Sequence, residues 1–413
     1  MKAAQQQASQ ASQASQPSQA PQAPQAEQAE QGPQAKQAGA SRGRRAGLAA
    51  AAALAAGLSF AVTATAPAGS ATAASAAGQA VNPGAGGTCA EVHGKIDRLE
   101  GRITPNNCAF LKRQIAFGEA PTGTPPAPRD LTHPRVQAYL DIFADDATLW
   151  EAGGAPQRGR TVIGNSITNS LRLAPELRYR GTDVVADGAV VMFGQRNEIT
   201  VAGRTVSYPQ IARNVLSDDG KTMQARRYYD RHELFKPIAP ELRPLFDGIA
   251  DAPGGGQGGQ DGQGNRGGRA PERFRAEEVT ARLAAWNSGD VSALTGRMAG
   301  ARLAGPGLGQ PLATDAAKTA YLKRFFEKAD VELKAGQIAF GATTTYVEWH
   351  GTVTVTVTDG TGEEAKERKD IPFGIVERFG PGGEWELSFD TLPLIADNNT
   401  IGSLYQRLAA AGK

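Results

Sequence analysis

The sequence predicts an α+β chain built from two similar units in tandem, and three observations carry that expectation. Apolar residues first recur at helical spacing and then, after Pro175, at a spacing of two. A Gly- and Gln-rich stretch at residues 251–270 breaks all periodicity. Beyond it the same order returns, short helices and then long alternating strands. A chain of 413 residues is also too long for one ordinary domain.

In the first unit, residues 134–145 place Val136, Tyr139, Leu140 and Phe143 at i, i+3, i+4 and i+7, one apolar face of a helix. Residues 161–173 repeat the pattern with Val162, Ile163, Ile167 and Leu171, and Pro175 ends that helix. Strands are then expected at 182–186, 189–201, 205–215 and 223–234, separated by turns at Asp187-Gly188, Gly203 and Asp219-Gly220. In the second unit, a helix at 272–286 carries Val279, Leu283 and Trp286, and a turn at Ser288-Gly289-Asp290 follows it. A helix at 314–328 and strands at 343–358, 371–379 and 385–389 complete that unit, with a fraying Ala/Gly/Lys tail.

Upstream, residues 1–45 are a Gln/Ala/Ser-rich segment without apolar periodicity, expected to be disordered. Basic residues Arg42, Arg44 and Arg45, an Ala/Leu/Phe run at 46–64 and the small-residue site Ala71-Thr72-Ala73 follow the order of a secretory signal, expected at 46–73. Alanine is a weak membrane residue, so cleavage is favoured over a retained anchor. The paired Arg44-Arg45 leaves the export route open. The mature chain is therefore expected outside the cytoplasm with no stable membrane span. Its two cysteines, Cys89 and Cys108, are expected to form a disulfide within an N-terminal extension at 74–130, ahead of domains at 131–250 and 271–413.

Composition narrows the partners. With 44 basic and 42 acidic residues, a net charge of +2 and no dense basic block, nucleic acid is not expected. Four histidines, none paired at ligand spacing, predict no metal site. The G-x-G-x-x-G match at Gly254, Gly256 and Gly259 follows no strand and opens no helix, so no nucleotide cofactor is expected.

The stretches YLDIFADDATLW, GRTVIGNSI, VVADG, VAGRTVSY and DDGKTMQARRYYDRHEL resemble the SnoaL-like branch of the nuclear transport factor 2-like (NTF2-like) superfamily. The second unit resembles it more weakly, through WNSGDVSAL, FGIVERF and GEWELSFD. This likeness implies two cone-shaped domains, each a curved antiparallel sheet wrapped around helices, with an apolar pocket at the mouth. The last strand of the first unit, RRYYDR, also resembles limonene-epoxide-hydrolase-like members. That resemblance implies catalytic roles for Arg196, Glu198 and Asp230, one acid protonating an epoxide oxygen while the other deprotonates water. The Tyr and Asn that help hold the water in that group are replaced here by Trp150 and Ala152. Ketosteroid-isomerase-like and polyketide-cyclase-like relatives imply proton transfer next to a carbonyl, with Asp230, His232, Tyr139 or Tyr228 as the groups available.

In the second unit, Glu348 and His350 share a strand face and Asp390 closes the last strand. Trp150 and Trp349 are expected on pocket walls with these residues, while Trp286 and Trp385 are core or wall. Three functions are carried forward: binding of a small hydrophobic ligand, an isomerase, cyclase or hydrolase activity in the first domain, and a structural role as a homodimer or an internal domain pair.

Overall fold

The structure, a computed structural model, describes residues 89–249, 274–358 and 365–411. The expected disordered segment, signal peptide and glycine-rich linker lie outside the described residues.

In the first half the elements are β1 (Ile96–Gly101), α1 (Pro105–Glu119), α2 (Pro134–Leu140), β2 (Phe143–Glu151), β3 (Gln157–Arg158), α3 (Arg160–Leu173), β4 (Arg178–Asp187), β5 (Val190–Val201), β6 (Arg204–Leu216), β7 (Thr222–Tyr228) and α4 (His232–Phe235). Among the described residues the strands form a seven-stranded sheet ordered β1-β4-β5-β6-β7-β2-β3. It is antiparallel at its centre, while β1 joins β4 and β2 joins β7 in parallel.

Residues 96–119, expected in an extension, instead supply a strand and a helix to this sheet and its core. Thr104 and Asn107 cap α1 reciprocally, and the helix buries Phe110, Leu111 and Phe117. Phe110 meets Phe193 edge to face, and Phe117 meets Tyr139. The Cys89–Cys108 disulfide, with Cα atoms 5.7 Å apart, fastens the preceding 3-10 turn Ala90–Val92 to α1. Reduction is expected to lower stability by about 3 kcal/mol. Urea unfolding with and without a reductant measures this, and coincident curves would contradict it.

Two expected boundaries move. The helix predicted at 134–145 ends at Leu140, and Phe143 opens β2, because Phe143, Ala147 and Leu149 are buried along a strand beside β7. The last strand, expected to reach residue 234, ends at Tyr228, so Asp230 and His232 lie beyond it.

The second half contains α5 (Val279–Ser288), α6 (Val291–Gly296), β8 (Arg302–Ala304), α7 (Asp315–Phe326), β9 (Ala329–Phe340), β10 (Thr345–Thr358), β11 (Ala365–Gly380), β12 (Glu384–Ser388), α8 (Leu392–Ile395) and α9 (Asn398–Ala411). Its five-stranded sheet runs β8-β12-β11-β10-β9. Helix α9 buries Leu404 and Tyr405, the latter edge to face against Phe235 of the first half; of the Ala/Gly/Lys tail expected to fray, residues 409–411 continue this helix and 412–413 lie outside the described residues.

The fold class is thus the expected α+β arrangement, two helix-packed sheets in tandem. The outer faces of the sheets meet through Val185, Met192, Ile211 and Tyr228 on one side and Ala339, Tyr346 and Val376 on the other. Gly374 permits this approach, since a Cβ there would stand 2.7 Å from the Tyr228 ring. Among the described residues no helix is long and apolar enough to cross a membrane.

Candidate active site in the first domain

The inner face of the first sheet does not close completely on its helices. It leaves a cavity of about 120 Å³, open at its mouth, between α1, α2 and α3 on one side and β5, β6 and β7 on the other, with Leu408 of α9 among its lining residues. Phe117, Ile167, Leu177, Ile199, Val201 and Leu234 make much of the wall apolar. That lining, apolar with a few polar groups, suits a small organic molecule.

Polar groups converge on this cavity from adjacent strands. Glu151 ends β2 and is the register partner of Arg227 on β7, so both side chains project inward side by side. The Arg227 Nε lies 3.7 Å from the Glu151 Oε1, with the two side chains only 14% and 12% exposed. The guanidinium also sits 5.2 Å over the Tyr139 ring. Burial pushes the Glu151 carboxyl up to about 7, and the Arg227 charge offsets only part of that rise. Burial raises the Tyr139 and Tyr208 hydroxyls too, so both remain neutral donors at physiological pH.

Across the cavity an amide ladder runs over two strands. Gln195 Nε2 donates to Asn197 Oδ1 at 2.7 Å, and Asn197 Nδ2 donates to Gln210 Oε1 at 3.1 Å. The buried Gln210 Nε2, at the end of the ladder, meets no acceptor among the described residues. A carboxyl that titrates near neutrality, a guanidinium beside it and a spare amide donor together allow proton transfer to or from a bound molecule while an oxygen of that molecule is held.

The sequence-predicted catalytic residues are not brought together here. Arg196 and Glu198 share a strand face as expected, but it is the outer one, where both are exposed; Gln195 and Asn197 face the cavity. The outer face of β5 is covered as far as Met192 and Gly194 by the second sheet and emerges into solvent at Arg196. Tyr139 does line the cavity. Tyr228 and Trp150 instead face the second sheet, their rings 5.5 Å apart.

Tyr228 donates to Glu348 Oε1 at 2.5 Å, and the same carboxylate accepts from Arg213 Nε at 3.0 Å, Arg226 Nη1 at 3.2 Å and the Gln337 backbone N–H at 2.8 Å. Burial alone would raise this carboxyl, but the two guanidiniums and the hydroxyl outweigh it and hold Glu348 at about 2. It is a permanent anion tying the two sheets together. Neighbouring His350 is half-buried, and burial together with Arg226 lowers its imidazole to about 4, leaving it neutral.

In the second domain the position matching a pocket is filled. Trp349, Trp286 and Trp385 donate their indole N–H groups to the buried Glu377 carboxylate at 2.7, 2.7 and 2.9 Å, and Arg282 Nη2 donates to it at 2.6 Å. Trp349 is therefore core, not a pocket wall.

Asp230 and Asp390 occupy matching places after the last strand of each sheet and reach across to one another's turn. Asp230 Oδ1 accepts from the Thr391 N–H at 3.0 Å and from its own His232 N–H at 3.1 Å. Asp390 Oδ1 accepts from the Arg231 N–H at 3.1 Å and from its own Leu392 N–H at 3.2 Å. This reciprocal exchange is a junction between the domains, away from the first-domain cavity. Asp390 Oδ2 accepts from Arg231 Nε at 2.7 Å. Burial and the Asp390 charge push the Asp230 carboxyl up to about 7.

No family model and no curated protein matches the chain. Solved structures resemble parts of it. A crystal structure of TerC co-crystallised with polyporic acid is 13% identical and covers 31% of this chain and 96% of its own, with a TM-score of 0.25. A protein described as a SnoaL-like polyketide cyclase from Jannaschia sp. CCS1 is 12% identical over 33% of this chain and 95% of its own, with a TM-score of 0.26. An NTF2-like protein of unknown function from Burkholderia pseudomallei K96243 is 14% identical over 32% and 97%, also at 0.26. Similarities of this degree do not say what this chain binds.

Proposed function

We propose that this is an exported protein whose first domain binds a small, largely apolar molecule bearing a carbonyl or enol oxygen, and that Glu151 moves a proton on it. The observation that carries the reading is the Glu151–Arg227 pair projecting from neighbouring strands into a largely apolar cavity open to solvent. In this reading the ionised Glu151 takes a proton from carbon next to the carbonyl. Arg227 and Gln210 Nε2 supply positive charge and a donor to the oxygen as it gains charge. The apolar wall excludes water, which strengthens both interactions. Export is supported by the signal-like sequence and the disulfide, a cross-link that persists in oxidising compartments.

The test has two stages. Apolar ketones that raise the melting temperature are identified, then incubated with the protein in heavy water and examined by NMR for deuterium next to the carbonyl. Incorporation is expected to follow the ionised form of Glu151, rising with pH through about 7. The Glu151→Gln variant should keep the thermal shift and lose roughly 100-fold or more in exchange rate. Equal exchange by wild type and variant would reject Glu151 as the base, and a panel without any thermal shift would reject the binding site.

The same carboxyl makes a stability prediction. Its folded value of about 7 lies above the ordinary 4.5, so its contribution is fully present below 4.5 and is lost as pH rises through 7. Glu151→Gln is therefore expected to be more stable than wild type at pH 8 and close to it at pH 4, as read from urea midpoints at the two values.

A further inference from the structure

We propose that Asp230, His232 and Glu233 form a binding site for a divalent cation, zinc in the first place, at the junction of the two domains. One ligand atom from each of these residues lies within 4.8 Å of the others. Two of the residues are almost sealed, Asp230 at 6% and His232 at 1% exposure.

Chemistry at this cluster is one-sided. His232 Nε2 faces the Leu242 carbonyl at 3.0 Å, which can only accept, so Nε2 carries the proton and Nδ1 presents a lone pair. That Nδ1 has no hydrogen-bond partner, and neither does the second oxygen of Asp230. Three acceptors thus converge, and the two that are buried, on Asp230 and His232, have no donor in a place where an unpartnered polar atom is costly. A cation resolves the conflict, and a nitrogen with two carboxylate oxygens suits zinc. The bond from Nε2–H to a backbone carbonyl is the outer support that ligating histidines use to fix their tautomer.

Asp230 is already held by its other oxygen, through Thr391 N–H and Oγ1. Glu233 is half-buried and ion-paired with the exposed Lys236. It is therefore the ligand able to swing onto the metal. The sequence pattern predicted no metal site because Asp230, His232 and Glu233 are neighbours, not a spaced pair. Their convergence comes from the chain turning from β7 into α4.

The test uses the full chain without an affinity tag, freed of metal by a chelator and titrated with zinc chloride in a calorimeter and in thermal melts. Saturable binding of a single equivalent is expected, with a rise in melting temperature of roughly 5 °C that the chelator reverses. Glu233→Gln should weaken zinc binding about 10-fold or more while leaving the metal-free melt unchanged, and His232→Gln should abolish it. Absence of zinc binding by the wild type would overturn the proposal, leaving a proton on Asp230 as the link to His232. Equal affinity in wild type and Glu233→Gln would also overturn it. That comparison suffices if His232→Gln does not fold.

Discussion

Replacing Glu377 by alanine is expected to cost about 3–5 kcal/mol and to remove the cooperative unfolding of the second domain. The carboxylate is fully buried and accepts from Arg282, Trp286, Trp349 and Trp385. Burial alone would raise it, yet Arg282 and these donors turn its net shift downward, so it is charged in the folded chain. Alanine would leave a guanidinium at 3% side-chain exposure without its counter-charge and three indole donors without an acceptor. The double change Glu377→Leu with Arg282→Met should recover part of the loss, because removing both charges avoids the unpaired one. Urea unfolding followed by tryptophan fluorescence reads both variants. A single-variant loss below about 1 kcal/mol would show that the cluster is not a structural centre.

A comparable loss is expected for Glu348→Ala, at the contact between the sheets. Its removal strands Arg213, whose side chain is 3% exposed, and takes the acceptor from Tyr228. The direction of its pH dependence is opposite to that of Glu151. The folded value of about 2 lies below the ordinary 4.5, so its contribution is complete above 4.5 and fades as pH falls through 2. The shift corresponds to roughly 3 kcal/mol. Stability of the wild type should therefore decline between these limits, and Glu348→Gln should flatten that decline. An unchanged acid limb in the variant would place the acid sensitivity elsewhere.

Helical and strand periods were legible wherever one face of an element meets the core and the other meets water. Residues 161–173, and residues 195–200 of β5 and 205–210 of β6, have that property, and the expected spans of these elements lie close to those observed. The signal fails where both faces are covered. At the end of β7, Tyr228 and the following Tyr229 point to opposite sides and are both buried, one toward the second sheet and one toward the cavity. No apolar-polar alternation then reveals which parity faces inward. The same ambiguity put Asp230 and Tyr228 in the expected site and left Arg227 out.

Glu151 was hidden by a boundary. Reading residues 134–145 as one helix removed β2 from view, although Ala147, Leu149 and Glu151 stand at strand spacing on one face. Recognising that alternation would have brought Glu151 inward between Trp150 and Ala152. The filled interior of the second domain was not legible, because its closing group, Glu377, is one of three acids in a strand that also carries Glu367 and Asp370, and nothing in its spacing sets it apart. Only the fold places three indoles around it.

A ligand is expected to sit in the first-domain cavity. The most direct measurement is a crystal structure of the chain soaked with the ketone giving the largest thermal shift. The ligand is predicted between Ile167 and Leu408, with its oxygen within hydrogen-bonding distance of Arg227 or Gln210 and its adjacent carbon facing Glu151. Ligand density only at the junction near Asp390, or only on the exposed face of Arg196 and Glu198, would contradict it.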